Sequence, residues 1–123
     1  MSDGCIKLLH HDVGFLARAA AREALALYRP LLAPLGLSHA EYTVLLALED
    51  GRDHPVTDLA ARIALPEQGV ASALAGLDDR GLIRWGQLRT DPRRGLVSMT
   101  PSGVTLLPQL EAISEQVRRQ LDA

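Results

Sequence analysis

The apolar positions in the first third of the chain fall at helical spacing. Leu9, Val13, Leu16, Ala20, Ala24, Leu27 and Leu31 follow one another at steps of three and four, which puts them on one face of a helix running from Ile6 to about Arg29. The alanines at its centre (Ala17, Ala19, Ala20, Ala21, Ala24 and Ala26) favour the helix and permit close approach of a second one. Pro30 and Pro34 are expected to close it, with Gly36 in the loop that follows. A second helix is predicted from Ser38, because Ser38 and Glu41 have the spacing of a capping box, in which each side chain accepts an otherwise unpaired amide. Tyr42, Leu45, Leu46 and Leu48 supply its buried face, and it ends near Gly51. A polar loop, Arg52-Asp53-His54-Pro55, leads to a short third helix with Thr57 as N-cap and Leu59 and Ile63 turned inward. Pro66 is expected at the first position of a fourth helix. Val70, Leu74 and Leu77 line the apolar face of that helix, and Gly81 ends it as a left-handed cap.

Past Gly81 the apolar period shortens. Leu82 to Leu88 reads as a strand and Gly95 to Met99 as another, joined by the charged tip Arg89-Thr90-Asp91-Pro92-Arg93-Arg94. Thr100 then caps a last helix with Pro101 at its first position. Leu106, Leu107, Leu110, Ile113 and Val117 give its apolar positions, and Pro108 is expected to kink or interrupt it. The predicted fold is mainly α with one small β-hairpin, in a single continuous domain over residues 1–123.

Composition narrows the class. A chain of 123 residues builds one domain with a small core. Hydrophobic residues at 47% and charged residues at 23% exclude disorder. Aromatics are only 3%, so the core is made of Leu and Ala, which favours helices. Cys5 is the single cysteine; it excludes an internal disulfide, and without a CxxC or Cys/His cluster no zinc site is expected. No apolar run is long enough for a bilayer and no signal-peptide core opens the chain, so a cytoplasmic protein without a membrane partner is expected. No nucleophile triad, carboxylate pair or phosphate-cradling glycine motif is recognisable; the chain reads as a non-enzyme without cofactor or metal.

The net charge of −2 hides an asymmetry. Residues 80–100 hold Arg80, Arg84, Arg89, Arg93 and Arg94 against a single acid, Asp91, so this segment carries +4 and the remainder −6. Every basic residue except Lys7 is Arg, the side chain that grips phosphate with two parallel N–H groups. On charge alone, a salt-bridged solvated hairpin and a phosphate-binding one stay equally open.

Two short helices followed by a hairpin is the order of the winged helix-turn-helix. There the second helix of the pair enters the major groove and the hairpin reaches a neighbouring backbone or minor groove. The residues resemble the MarR family of bacterial transcription regulators over about residues 24–107. The resemblance rests on Leu31-Leu32-Ala33-Pro34-Leu35-Gly36-Leu37-Ser38, Leu59-Ala60, Leu77 with Arg80-Gly81-Leu82-Ile83, Asp91-x-Arg93-Arg94 and Thr100-Pro101-x-Gly103, in that order and spacing. It implies a regulator that binds double-stranded DNA as a homodimer. Dimerisation helices would occupy residues 1–35 and 101–123, and the winged helix-turn-helix residues 38–100. The long apolar flanks suit a two-fold dimer, with packing inside one monomer as the alternative. Because the last helix stops soon after Val117, shorter than is usual in the family, more of the interface should fall on the first helix.

The resemblance also implies site residues. The stretch matching the family's reading helix, Pro66 to Gly76, contains no Lys or Arg, and Glu67 would face phosphates. Gln68 can pair bidentately with adenine, and Ser72 can meet a base edge or a phosphate. Gly69 and Gly76 each cost the helix about 1 kcal/mol relative to Ala. In the hairpin, Arg93 or Arg94 matches the family arginine that inserts beside the minor groove, and Asp91 matches the acid that orients it. Pro92 stiffens the tip, and Arg89 adds to its charge. Arg18, Arg22 and Arg29 share a polar helix face, and the family implies a small anionic aromatic effector between the dimerisation and DNA-binding parts. Cys5 lies about two turns too early, relative to Tyr28-Arg29-Pro30, to match the family's peroxide-sensing cysteine, and is read as silent. His10 and His11 face different sides of a helix and make no metal pair; Tyr42 and Trp85 are read as core. A competing function is a MarR-like interaction module, a heterodimer partner or antirepressor, that has lost specific DNA binding. The acidic, glycine-containing fourth helix favours it.

Overall fold

A computed structural model describes residues 8–88 and 91–122. The first long helix, α1 (Val13–Leu32), begins where the Asp12 carboxylate accepts the Phe15 amide at 2.8 Å. It does not stop at Pro30, which lies inside it. A proline this close to the end removes one hydrogen bond and leaves the closing one intact, from the Ala33 amide to the Arg29 carbonyl. Pro34 belongs to a 3₁₀ turn (Ala33–Leu35) that Gly36 terminates at φ +67°. Helix α2 (His39–Ala47) opens on the expected capping box. The Glu41 amide donates to Ser38 Oγ at 3.1 Å and the Ser38 amide to Glu41 Oε1 at 2.8 Å.

Helix α3 (Val56–Ile63) starts earlier than predicted. Pro55 and not Thr57 is its N-cap, because His54 and Pro55 are held extended as a strand and the helix can only begin after them. Helix α4 (Glu67–Asp79) likewise has Pro66 just outside it as N-cap. Its far end closes as anticipated. Gly81, at φ +71°, donates to the Asp78 carbonyl, and Leu82 donates to the Leu77 carbonyl, both at 3.0 Å.

Three strands form one antiparallel sheet: β1 (His54–Pro55), β2 (Ile83–Leu88) and β3 (Asp91–Met99), in the order β1-β3-β2. Two features correct the sequence reading. Strand β1 was hidden in the polar loop, since two residues are too few to show an alternation. Strand β3 begins at Asp91, so Arg93 and Arg94 stand on a strand and not in a six-residue tip; pairing resumes past an irregularity between Gly86 and Leu88 and brings Leu88 opposite Asp91. Helix α5 (Pro101–Asp122) runs unbroken through Pro108, which sits on its exposed side. Thr100 starts it by accepting the Gly103 amide at 3.2 Å, while its own hydroxyl donates to the Gly81 carbonyl at 2.6 Å.

The core gathers Tyr42 and Leu45 of α2 with Leu48 at its C-cap, Leu59 of α3, Val70, Leu74 and Leu77 of α4, and Val97 of β3. Leu110, Ile113 and Val117 of α5 are buried in the same cluster, so the apolar stripe of the last helix is largely covered by its own chain. Helix α1 differs. Leu32 is its only fully buried residue; Val13 and Leu16 are 79% and 48% exposed, and Leu9, just ahead of the helix, is 49% exposed.

Gly76 is a packing requirement as well as a helix weakness. A Cβ there would lie 2.6 Å from Glu41 Oε2, the carboxylate that completes the α2 capping box. At Gly69 the nearest atom would be Pro66 Cδ at 3.9 Å. Gly69→Ala should therefore raise stability by about 0.5–1 kcal/mol. Gly76→Ala should forfeit that gain by displacing Glu41. Urea midpoints of the two variants against the parent check this.

Candidate nucleic-acid interface

Helices α3 and α4 are joined by a sharp bend in which Ala64 takes a left-handed conformation, φ 56° and ψ 39°. With Val70, Leu74 and Leu77 turned into the core, the opposite face of α4 is committed to solvent. Gln68 and Ser72 are both exposed and one turn apart, so the structure brings these two candidates together. Ala75 and Asp79 continue the same face, and no cation lies on it.

The hairpin supplies what α4 lacks. Arg84 is exposed on β2, opposite Ser98. The backbone course places Asp91, Arg93 and Arg94 on β3, while Arg89 lies outside the described residues, as does Cys5. Gly95 fixes how closely the two strands approach: a Cβ there would collide with the Gly86 carbonyl oxygen and stand 3.0 Å from Trp85 Nε1. Trp85 is half-buried against the core, as expected. One of the five arginines is diverted. The Arg80 guanidinium donates to the Leu35 carbonyl at 2.8 Å and the Gly36 carbonyl at 3.0 Å, pinning the end of α4 to the turn after α1.

A further polar cluster escaped the sequence reading. His54 Nε2 lies 2.9 Å from Asp50 Oδ1 and 3.1 Å from Oδ2, and Arg62 Nη1 lies 3.2 Å from His54 Nδ1. The His54 hydrogen bond, helped by the Arg52 amide, holds the Asp50 carboxyl below its ordinary range. Asp50 and His54 lie four residues apart and Arg62 eight further on, but they make up no recognisable motif.

The joint between α1 and α2 is aromatic. Tyr28 packs on His39 and Tyr42 with ring centroids 4.8 and 5.2 Å apart. Beside it lies a cleft of about 340 Å³ lined by Leu25, Arg29, Leu32, Ala33, Leu37, Ser38 and His39. Of the arginines on the polar face of α1, Arg29 is the one that reaches this cleft. Burial lowers the His39 pKa and, as the largest cause, pushes the Tyr42 hydroxyl up to about 12. That hydroxyl is buried beside Ser114 and Tyr28, with neither in full hydrogen-bonding geometry.

A helix-turn-helix with one outward polar face, followed by an arginine-bearing hairpin, defines a winged-helix protein. A model of the MarR family matches residues 35–95. The chain is 29% identical over 98 residues to the organic hydroperoxide resistance transcriptional regulator of Bacillus subtilis, covering 80% of this chain and 67% of that one. It is 25% identical over 114 residues to the HTH-type transcriptional regulator SarZ of Staphylococcus haemolyticus, covering 93% and 78%. Among solved structures it is similar to BpsR of Bordetella bronchiseptica, whose DNA binding is regulated by 6-hydroxynicotinic acid, with 27% identity, 88% and 82% coverage and a TM-score of 0.77. The chain belongs to the MarR family of DNA-binding transcription regulators.

The Tyr42 hydroxyl predicts an alkaline weakness. In the fold it stays protonated up to about 12, whereas an exposed phenol ionises near 10, so stability present below about pH 10 should fall as pH rises towards 12. Tyr42→Phe should flatten that fall. Urea midpoints of parent and variant at about pH 9 and about pH 11 check the sign.

Proposed function

We propose that this chain regulates transcription in the cytoplasm as a homodimer, laying α4 in the major groove while the β2–β3 wing meets the adjacent backbone or minor groove. The carrying observation is the exposed Gln68–Ser72 face of α4, set on the same small core as the strand that bears Arg93 and Arg94. Gln68 and Ser72 read base edges or phosphate, and Arg89, Arg93 and Arg94 supply cations, with Asp91 orienting an arginine. The bare apolar side chains of Leu9, just before α1, and of Val13 and Leu16 on it support the dimer, since a second copy covers what the monomer leaves open. A small anionic aromatic effector fits the cleft between α1 and α2. Leu25, Leu32 and Leu37 offer it apolar walls and Arg29 a charge partner, in keeping with the 6-hydroxynicotinic acid of BpsR.

Sedimentation of the pure protein should give about twice 13.3 kDa. A monomer at micromolar concentration would contradict the dimer.

Titrations against duplex DNA at several salt concentrations test the interface. In a dimer, Arg93→Ala with Arg94→Ala removes four cations, and each lost phosphate contact lowers the slope of log affinity against log salt by about 0.9. Gln68→Ala should instead relax sequence preference and leave that slope unchanged, because it carries no charge. Absence of salt-dependent binding to any duplex would restore the interaction-module reading, for which the cation-free α4 is the supporting feature.

A further inference from the structure

Between Arg62 and Arg80 the chain contains no basic residue, so the whole of α4 is read without a cation of its own. Arg62 stands exposed in the last turn of α3, five residues before α4 begins. It is held in a particular way. Its Nη1 donates to His54 Nδ1 at 3.2 Å, which requires the imidazole proton to sit on Nε2. That Nε2–H points at the Asp50 carboxylate, 2.9 and 3.1 Å from its two oxygens, and Asp50 also accepts the Arg52 amide at 2.9 Å. The carboxylate fixes the ring and the ring fixes the guanidinium.

Two consequences follow. Among the described residues no carboxylate lies within ion-pair distance of Arg62; its direct partner is a ring nitrogen, with the Asp50 carboxylate on the far side of that ring. Only one of its N–H groups is engaged among the described residues, and the rest of the planar fork is left for a ligand. Its anchor is also well placed. His54 pairs through its backbone with Val97 of β3, the strand that carries Arg93 and Arg94, so Arg62 is tied to the root of the wing while it stands at the entrance to α4.

We infer that Arg62 grips a DNA phosphate between the reading helix and the wing, with His54 and Asp50 as its positioning residues. The proposal rests on the DNA-binding reading above and adds a cation where α4 has none. A mobile arginine would lose side-chain entropy on reaching a phosphate; one already clamped at Nη1 loses less.

The test is a salt titration of the full chain against a mixed-sequence DNA duplex, read by fluorescence anisotropy. Arg62→Gln removes one contact from each protomer. The log–log slope should fall by about 1.8, and affinity at 0.1 M salt by about sixtyfold. Arg62→Lys keeps the charge and should restore the slope. His54→Leu, which abolishes the acceptor, should weaken binding and also shrink the further loss caused by Arg62→Gln; His54→Asn, which keeps an acceptor towards Arg62, should preserve most of it. Thermal midpoints of all variants separate this coupling from a folding defect. If Arg62→Gln keeps the parent slope while the Arg93→Ala, Arg94→Ala variant flattens it, the role of Arg62 is overturned and the DNA-binding reading stands. If the parent shows no salt-dependent binding, both fall.

Discussion

Burial of one face of α4 decides the geometry of everything that can meet DNA. Val70, Leu74 and Leu77 are all fully enclosed, packed with Tyr42 and Leu45 of α2 and Leu48 at its C-cap. Each such side chain contributes about 1.5–3 kcal/mol when removed from water. Rotating α4 by one residue would bring Ala71, Ala75 and Asp78 towards the core in their place, so the inner face dictates which residues face outward. Gln68 and Ser72 are thus presented by a helix that has no freedom to turn. The glycine at 76 belongs to the same constraint, since it lets α4 come close enough to α2 for the Glu41 carboxylate to lie against it.

The two flanking helices share an amphipathic sequence but not a role. Helix α5 spends Leu110, Ile113 and Val117 on the chain's own core, and Thr100 locks its start to the turn that ends α4. Helix α1 is joined to the rest mainly at its C-terminal end, through Leu32, Tyr28 and the Arg80 clamp on the turn that follows. A helix so anchored at one end and apolar along the other is a lever. Whatever covers Leu9, Val13 and Leu16 acts on the α1–α2 joint, where the Tyr28–His39–Tyr42 cluster and the adjoining cleft lie.

Features coded by neighbours in sequence were legible before the structure. The Ser38–Glu41 box, the Gly81 closure and the inner face of α4 all depend on spacings of three to five residues, and all three stand where they were placed. The errors arose where a local rule met a non-local context. Pro30 and Pro108 do not stop their helices, because a single missing amide costs little near an end or on a solvent face. Strand β1 exists only through pairing across more than forty residues, as His54 with Val97 shows, and the extra length of β3 only through pairing with β2 that resumes past the irregularity between Gly86 and Leu88. For the candidate site, Gln68 and Ser72 came from the resemblance and their outward placement from helical phase, while charge and the resemblance together drew attention to the arginines of the hairpin. Arg80 was counted with that charge although its guanidinium serves the turn at Leu35 and Gly36, 45 and 44 residues away. The contact between Arg62 and His54 is not legible in the sequence, because no motif links the two.

The distribution of charge has a consequence for how such an interface discriminates. A bidentate base contact separates right from wrong sequence by about 1–3 kcal/mol, whereas a phosphate contact separates nothing and adds only salt-dependent affinity. On α4 the outward face offers Gln68 and Ser72, followed by Ala75 and Asp79, so few groups on it can read a base. The cations stand elsewhere, on the hairpin and at the end of α3. A monomer built this way would hold DNA without choosing much of it. Two copies on a two-fold axis change the arithmetic, because both α4 faces must find their groove at one fixed separation, and that geometric demand falls on the duplex as spacing and shape. Discrimination in the proposed dimer therefore depends on the rigidity of the α1–α2 joint as much as on Gln68. An effector wedged beside Arg29 would act on that separation without touching a base contact.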